Sequence, residues 1–232
     1  MGDCMNQQKA VILHPNCNNM KSDRELKDLS IGEFTRAADK YETDYAGVYN
    51  ICKKDYPDIL KEIESEPFQD LLDAGCGTAP MLSLLTERFP NAHFTGIDLT
   101  PKMIEVAKAK HLPNTEFVCG DCENLPFEAN AFDVIICSQS FHHYPHPEAF
   151  FLSVRRCLRP NGRLILRDMT VKSRLLHWFI NHIELRALNY IGYGDVHCYN
   201  RQEIQALSEQ ANLKLELFEQ RKGLRLHAVI RK

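Results

Sequence analysis

Residues 71–79, Leu-Leu-Asp-Ala-Gly-Cys-Gly-Thr-Ala, decide the fold. Leu71 and Leu72 read as the end of a buried strand, and Asp73 follows at its tip. Gly75 and Gly77 then give a tight turn, and Pro80-Met-Leu-Ser-Leu-Leu85 starts a helix. Strand, glycine turn and helix open a nucleotide-binding α/β unit. The two glycines let the backbone turn sharply and let a flat ligand approach where a Cβ would collide with it.

The turn argues against a dinucleotide. The third glycine of Gly-x-Gly-x-x-Gly is replaced by Pro80, and Asp73 sets a carboxylate where a pyrophosphate would rest. A carboxylate suits a ligand with cationic groups, such as the ammonium and sulfonium of S-adenosylmethionine. The acidic-x-Gly-x-Gly stretch resembles the start of class I methyltransferases, with Ala79 where that family usually has glycine.

Working outward, βα units repeat at regular intervals. His93–Asp98 reads as a second strand ending in an acid, Glu116–Cys119 as a third, and the apolar Phe132–Cys137 as a central fourth. A helix over 101–110 has Thr100 as its N-cap, and another runs over 147–158. Arg159-Pro-Asn-Gly162 is a stop signal before a fifth strand, 163–169. After a helix over 201–211, strands 213–220 and 224–230 form an antiparallel pair around Lys222-Gly223. The spacing predicts a doubly wound, mostly parallel seven-stranded sheet with an antiparallel C-terminal pair and a helical cover.

The cover comes from two stretches. Residues 31–63 carry Phe34, Ala37, Ala38, Tyr41, Tyr45, Val48, Tyr49 and Cys52 on one helical face, with a break at Tyr56-Pro57. The tyrosines serve either as core contacts or, for Tyr41, as a contact to ligand. Residues 171–199 are an insertion whose Leu175, Leu176, Phe179, Ile180 and Ile183 share a face that can cover the site or meet another subunit. Residues 1–25 read as a tail or peripheral segment, and 26–232 as one domain.

Composition bounds the partners. The chain has 232 residues, 44% hydrophobic and 25% charged, with a formal net charge of −3. These values predict a globular α/β domain without chain-wide attraction to nucleic acid or anionic membrane. There is neither an apolar run of spanning length nor a signal-peptide core. Nine scattered cysteines fit reduced thiols in the cytoplasm better than a disulfide framework. Cys119 and Cys122 form a lone C-x-x-C with no second pair, so no metal site is expected from it. The basic C-terminal residues Arg221, Lys222, Arg225, Arg231 and Lys232 read as a solvated hairpin.

Five blocks in register make the resemblance specific: Asp73-Ala-Gly75-Cys-Gly77, Asp98, Gly120-Asp121-Cys122-Glu-Asn-Leu-Pro-Phe127, Phe132-Asp133-Val-Ile and Leu158-Arg-Pro-Asn-Gly162. Over about 31–232 the chain is similar to class I S-adenosylmethionine-dependent methyltransferases of the ubiquinone/menaquinone-biosynthesis type. The resemblance implies a Rossmann-like fold and S-adenosyl-L-methionine as cofactor. It also implies that Asp73, Gly75, Cys76 and Gly77 border the methionine part and that Asp98 holds the ribose. Leu99 and Met103 would pack near the adenine, Asp121 and the Cys122 N–H would meet its edge, and Ser138 would sit beside the sulfonium.

Methyl transfer from a sulfonium is an in-line displacement, so the protein has to align an acceptor and exclude water. A hydroxyl or activated carbon acceptor also needs its proton removed. His142 and His143, after the fourth strand, are the candidate bases, against a role in shaping the pocket. Ser138-Gln-Ser-Phe is not the turn used for amino-group methylation of adenine or glutamine, and no carboxylate pair for a catechol-type metal is present. Asp168 is assigned at most a substrate-orienting role. The predicted function is methyl transfer to a small-molecule acceptor. The alternative is a regulatory protein that binds the cofactor without turnover.

Overall fold

The computed structural model describes residues 21–43 and 48–232. Three helices precede the sheet: α1 (Asp23–Ala37), α2 (Val48–Cys52) and α3 (Tyr56–Glu64). Ser22 and Glu25 close a capping box on α1, so its start falls inside the stretch read as a tail. The helical pattern of 31–55 is broken after Ala37 rather than continuous, and α3 restarts with Tyr56-Pro57 in its first turn. Tyr45 and residues 1–20 lie outside the described residues.

The alternating core follows in order: β1 (Asp70–Ala74), α4 (Pro80–Arg88), β2 (His93–Asp98), α5 (Pro101–Lys108), β3 (Thr115–Cys119), β4 (Phe132–Ser138), α6 (Pro147–Cys157) and β5 (Leu158–Met169). The insertion holds α7 (Arg174–Phe179), a π-helical turn (Ile180–Glu184) and α8 (Leu185–Tyr190). After α9 (Arg201–Gln210), β6 (Lys214–Arg221) and β7 (Arg225–Arg231) finish the chain. The predicted stop at 159–162 is instead a bulged entry into β5: Leu158 pairs with Phe132, the register shifts, and Arg163 pairs with Val134. Asn161 takes the left-handed backbone there, φ 65°.

Strand order is β3-β2-β1-β4-β5-β7-β6; the β6–β7 antiparallel pair is as expected, and β7 is antiparallel to β5 as well. Leu71 and Leu72 point to opposite faces, and each meets a different helical layer. One face packs Ile59 and Ile63 of α3 and Leu82 and Leu85 of α4 on Leu71, Val134 and Ile136. The other packs Phe150, Phe151 and Val154 of α6 and Ile204 of α9 on Leu72, Ile135 and Cys137. Burial on both faces explains why β4 reads as a continuous apolar run. The chain reverses direction across the sheet between β1 and β4, and that switch point is where open α/β sheets take ligands.

No helix among the described residues is long and apolar enough to cross a membrane. Apart from exposed Lys222, the C-terminal cations are paired rather than solvated. Arg225 reaches buried Asp55, Arg231 pairs with Glu66 and Glu216, and Arg221 with Glu219.

Candidate functional site

The glycine turn is held from inside the sheet. The N–H groups of Gly75 and Cys76 both donate to the Ile97 carbonyl, at 2.8 and 3.0 Å, and Gly77 N–H donates to Asp98 Oδ2 at 2.9 Å. Gly75 (φ 81°) and Gly77 (φ 54°) use the left-handed region, as does Ala79 (φ 63°), which caps α4. A Cβ at Gly75 would fall 2.1 Å from Ser140 Oγ, whereas the space in front of Gly77 is open. The turn is therefore closed toward the β4 loop and open toward a ligand.

Two contiguous cavities lie over it. The first is bordered by Tyr41, Asp73, Gly75, Cys76, Gly77, Asp98, Met103 and Ser138, and the second by Gly75, Asp98, Leu99, Asp121 and Cys122. All eleven cofactor candidates thus border one or other of these two contiguous cavities, Met103 the first of them. Phe34, Tyr56, Gln139, Ser140 and His143 also border the first cavity, and no lysine or arginine among the described residues lines it.

That charge balance is informative. Asp73 is buried without a cationic partner among the described residues, and burial, then Asp98, push its carboxyl up to about 7. Burial also raises Asp98, against hydrogen bonds from Thr100 and Gly77 N–H that hold it down. Thr100 stands at the N-cap of α5, but the cap is reversed: its N–H donates to Asp98 Oδ1 at 2.8 Å. Ser138 Oγ, at the tip of β4, is buried without a hydrogen-bond partner.

At the far end α1 lies across the second cavity. Lys27 donates to Asp121 Oδ2 at 2.7 Å and to Glu123, while Asp121 Oδ1 accepts from Glu123 N–H. Asp121 therefore both lines the second cavity and latches α1. Nothing in the sequence marked Lys27, because its partners stand 94 and 96 residues away.

The histidine pair joins this groove to a larger one. His142 Nδ1 lies 2.8 Å from Asp168 Oδ1, and His142 N–H donates to Asp168 Oδ2 at 3.1 Å. Asp168 thus orients His142 instead of a substrate group, the role first assigned to it. On its other side His142 Nε2 is 3.5 Å from Asp195 Oδ1, which also lies 3.3 Å from His143 Nδ1. Burial would lower the His142 pKa, but Asp168 and then Asp195 reverse this and raise it to about 9. Burial and the neighbouring His142 cation push His143 down, so it is neutral at pH 7. Val196 N–H donates to the His142 carbonyl at 2.7 Å, which ties the end of the insertion over the pair.

Beyond His143 a cavity of about 470 Å³ opens between β5, the insertion and the cover. Its wall is mostly apolar, with Ile51, Met169, Val171, Leu176, Ile180, Leu185 and Leu188, and it also carries His142, His143, Asp195, Glu33, Glu184 and Arg225. Tyr41, Phe34 and His143 border both this cavity and the first one. Tyr41 is therefore a wall between two compartments; its hydroxyl lies 3.7 Å from Cys52 Sγ.

Asp55 holds the cover on the strand tips. It is fully buried and receives Arg167, Arg225 Nη1 at 2.8 Å and Gln139 Nε2 at 2.8 Å.

Among the described residues, two groups present metal-compatible donors, His142 with His143 and Asp195, and His177 with His197 and Glu203. In the first, His142 is already paired with Asp168 and Asp195, while His143 Nδ1 has no hydrogen-bond partner among the described residues. In the second, Glu203 is the capping-box acid of α9 and accepts from Asn200 N–H at 2.8 Å. Cys119 is exposed and Cys122 buried, both as free thiols.

Residues 72–166 match the family model described as a methyltransferase domain. The phthiotriol/phenolphthiotriol dimycocerosates methyltransferase of Mycobacterium leprae (strain TN) is 38% identical over 117 residues, covering 50% of this chain and 43% of that protein. The demethylmenaquinone methyltransferase of Thermotoga maritima is 31% identical over 140 residues, covering 59% of each. The chain thus spans about half the length of the curated relatives it matches. Among solved structures, an S-adenosylmethionine-dependent methyltransferase from Aquifex aeolicus superposes with a TM-score of 0.64 at 18% identity, over 87% of this chain and 98% of that one. That likeness speaks for the fold.

Proposed function

We propose that this chain, whose residues 72–166 belong to the methyltransferase-domain family on a Rossmann-like class I sheet, moves a methyl group from S-adenosylmethionine to a lipophilic small-molecule acceptor. The observation that carries the reading is the charge of the first cavity: Asp73 and Asp98 stand at successive strand tips, and none of its described lining residues is a lysine or arginine. Such a site rejects a pyrophosphate and favours an ammonium and a sulfonium. The unpartnered Ser138 Oγ and the open space before Gly77 fit the same ligand.

When bound, S-adenosylmethionine supplies a methyl group already activated by its sulfonium charge. Asp73 would face the ammonium, Asp98 would accept from the ribose hydroxyls through its remaining lone pairs, and Asp121 would meet the adenine end. Lys27 would have to release or share Asp121 for the ligand to enter, so α1 is the element expected to move.

The acceptor enters from the apolar cavity. Its volume and lining fit a body larger and more apolar than an amino acid or catecholamine, with one polar end held by the histidine pair. The names of the relatives, a phthiotriol lipid and a demethylmenaquinone, favour the same class. His143, neutral and at the junction, is placed to take the acceptor's proton, with Asp195 beside it to support the resulting charge. His142 is a positioning residue: held cationic between Asp168 and Asp195, it keeps Asp195 and the 194–197 loop in place. The seven described free cysteines accord with a reducing, cytoplasmic setting.

Calorimetry with S-adenosylhomocysteine, followed by product detection with prenylated quinols and long-chain phenols, tests the proposal. Binding and methylated product are expected. Binding without turnover on any lipophilic acceptor would favour a regulatory protein, and no binding would remove the premise.

A further inference from the structure

The insertion presents an outer surface that neither the glycine turn nor the acceptor cavity uses. Leu175 is 77% exposed, Tyr190 89% and Ile191 68%, and Trp178, Phe179 and Ile183 stand beside them, each about half exposed. Contiguous apolar exposure on this scale marks an interaction surface. It does not arise from poor packing of the segment, because Ile180 and Leu185 on the inner side are buried against Val171 and Cys198. Among the described residues, most of the large exposed apolar side chains of the molecule fall in 175–193.

Charge identifies the partner. Residues 172–193 carry Lys172, Arg174 and Arg186 against one acid, Glu184, in a chain whose net charge is −3. The segment is therefore locally basic on an acidic protein, and Lys222 lies exposed in the β6–β7 turn beside exposed Leu224. Tryptophan and tyrosine on an apolar helical face, flanked by lysine and arginine, are the composition of an interfacial anchor. The expectation of no membrane attraction came from the chain-wide charge, which does not describe this patch.

The patch is continuous with the acceptor cavity. Leu176, Ile180, Tyr193 and Leu224 line that cavity, while Leu175, Trp178 and Phe179 of the same helix face outward. We propose that residues 172–193 seat the protein peripherally on an anionic lipid surface, with the mouth of the acceptor cavity turned toward the bilayer. The choice of a lipid surface rests in part on the reading of the acceptor as lipophilic.

Trp178 is the only tryptophan, so its fluorescence reports on this patch alone. The full chain is titrated with vesicles of phosphatidylcholine, alone or mixed with phosphatidylserine, and co-sedimentation is measured in parallel. A saturable blue shift on anionic vesicles, weak on neutral ones and reversed by salt, is the expected result. Lys172→Gln and Arg174→Gln should each weaken binding about fivefold. Leu175→Ser with Ile191→Ser should abolish the shift while leaving S-adenosylhomocysteine affinity intact, which also shows that the variant is folded.

Unchanged emission and no co-sedimentation with anionic vesicles would overturn the proposal. So would emission that is already blue and vesicle-independent in a particle of twice the monomer mass, which would assign the patch to a second copy of the chain. Neither readout needs cofactor or turnover. Failure here with intact cofactor binding removes the anchor alone.

Discussion

The two halves of the groove are built differently. On the cofactor side, Asp73, Gly75, Gly77 and Asp98 sit on neighbouring strand tips and hold one another through backbone N–H groups. On the acceptor side, the walls come from 33–41, 51–52, 139–143, 169–198 and 223–225, and side-chain ion pairs between remote segments hold them. Asp55 meets partners 112 and 170 residues away. The first half is a property of local chain geometry. The second depends on paired charges that exist only once the sheet has formed.

The largest expected effect lies in the second half. Asp55→Ala leaves Arg167 and Arg225 facing each other over a dry site, and should cost about 3–5 kcal/mol in chemical denaturation. A loss below about 1 kcal/mol would mean that Asp58, 3.1 Å from Arg167, holds the cover unaided, and the contrast between the halves would fail.

His142 gives the next effect. Its folded pKa, about 9, stands above the unfolded value, so its stabilisation is full below about pH 6.5 and is lost as pH rises through 9. Wild-type stability should fall over this window by on the order of 2–3 kcal/mol relative to Asp168→Asn, which has little of this contribution to lose. Parallel pH–stability curves for the two proteins would show that the pairing is not what holds the loop.

On the cofactor side the effects fall on affinity. Asp98→Ala should weaken S-adenosylhomocysteine binding about 10- to 100-fold, and it should also lower stability because the Gly77 and Thr100 N–H groups lose their acceptor. Asp73 acts in the opposite pH sense to His142. Its carboxyl, raised to about 7 by burial, is neutral below that pH, so affinity for a cationic ligand should decline toward about tenfold per unit as pH drops. Asp73→Asn should abolish that slope and slightly stabilise the ligand-free protein near pH 8. A slope that survives the substitution would assign the ammonium contact elsewhere.

The smallest effect sharpens the local half. Ala79 sits in the left-handed region at φ 63°, where glycine is relaxed. Ala79→Gly relieves that strain but removes a buried methyl, so a net stabilisation of no more than about 1 kcal/mol is expected by thermal unfolding. Clear destabilisation would show that packing of the methyl outweighs the backbone.

What was legible follows the same division. The strand–turn–helix, the acid at the end of β2 and the apolar run of β4 read correctly because their signals are short-range and periodic. The 31–55 helix was over-extended, because a helical spacing of apolar residues persists through a segment where the backbone turns away after Ala37. The bulged start of β5 read as a plain stop, since Pro160-Asn161-Gly162 is turn chemistry whether or not a strand passes through it. The C-terminal cations read as solvated because their carboxylate partners are distant in the chain.

By itself the sequence determined that a mostly parallel sheet forms, and that carboxylates and glycines gather at its strand tips. Chain order and residue type are sufficient for that, because hydrogen-bonded neighbours and side-chain alternation act over a few residues. Only the tertiary structure decided that His142 is clamped between Asp168 and Asp195, that Lys27 latches α1 across Asp121, and that an apolar chamber meets the groove at His143. Those facts are contacts between segments far apart in the chain. Coulomb attraction and burial choose such partners by distance in space, which the order of residues does not state.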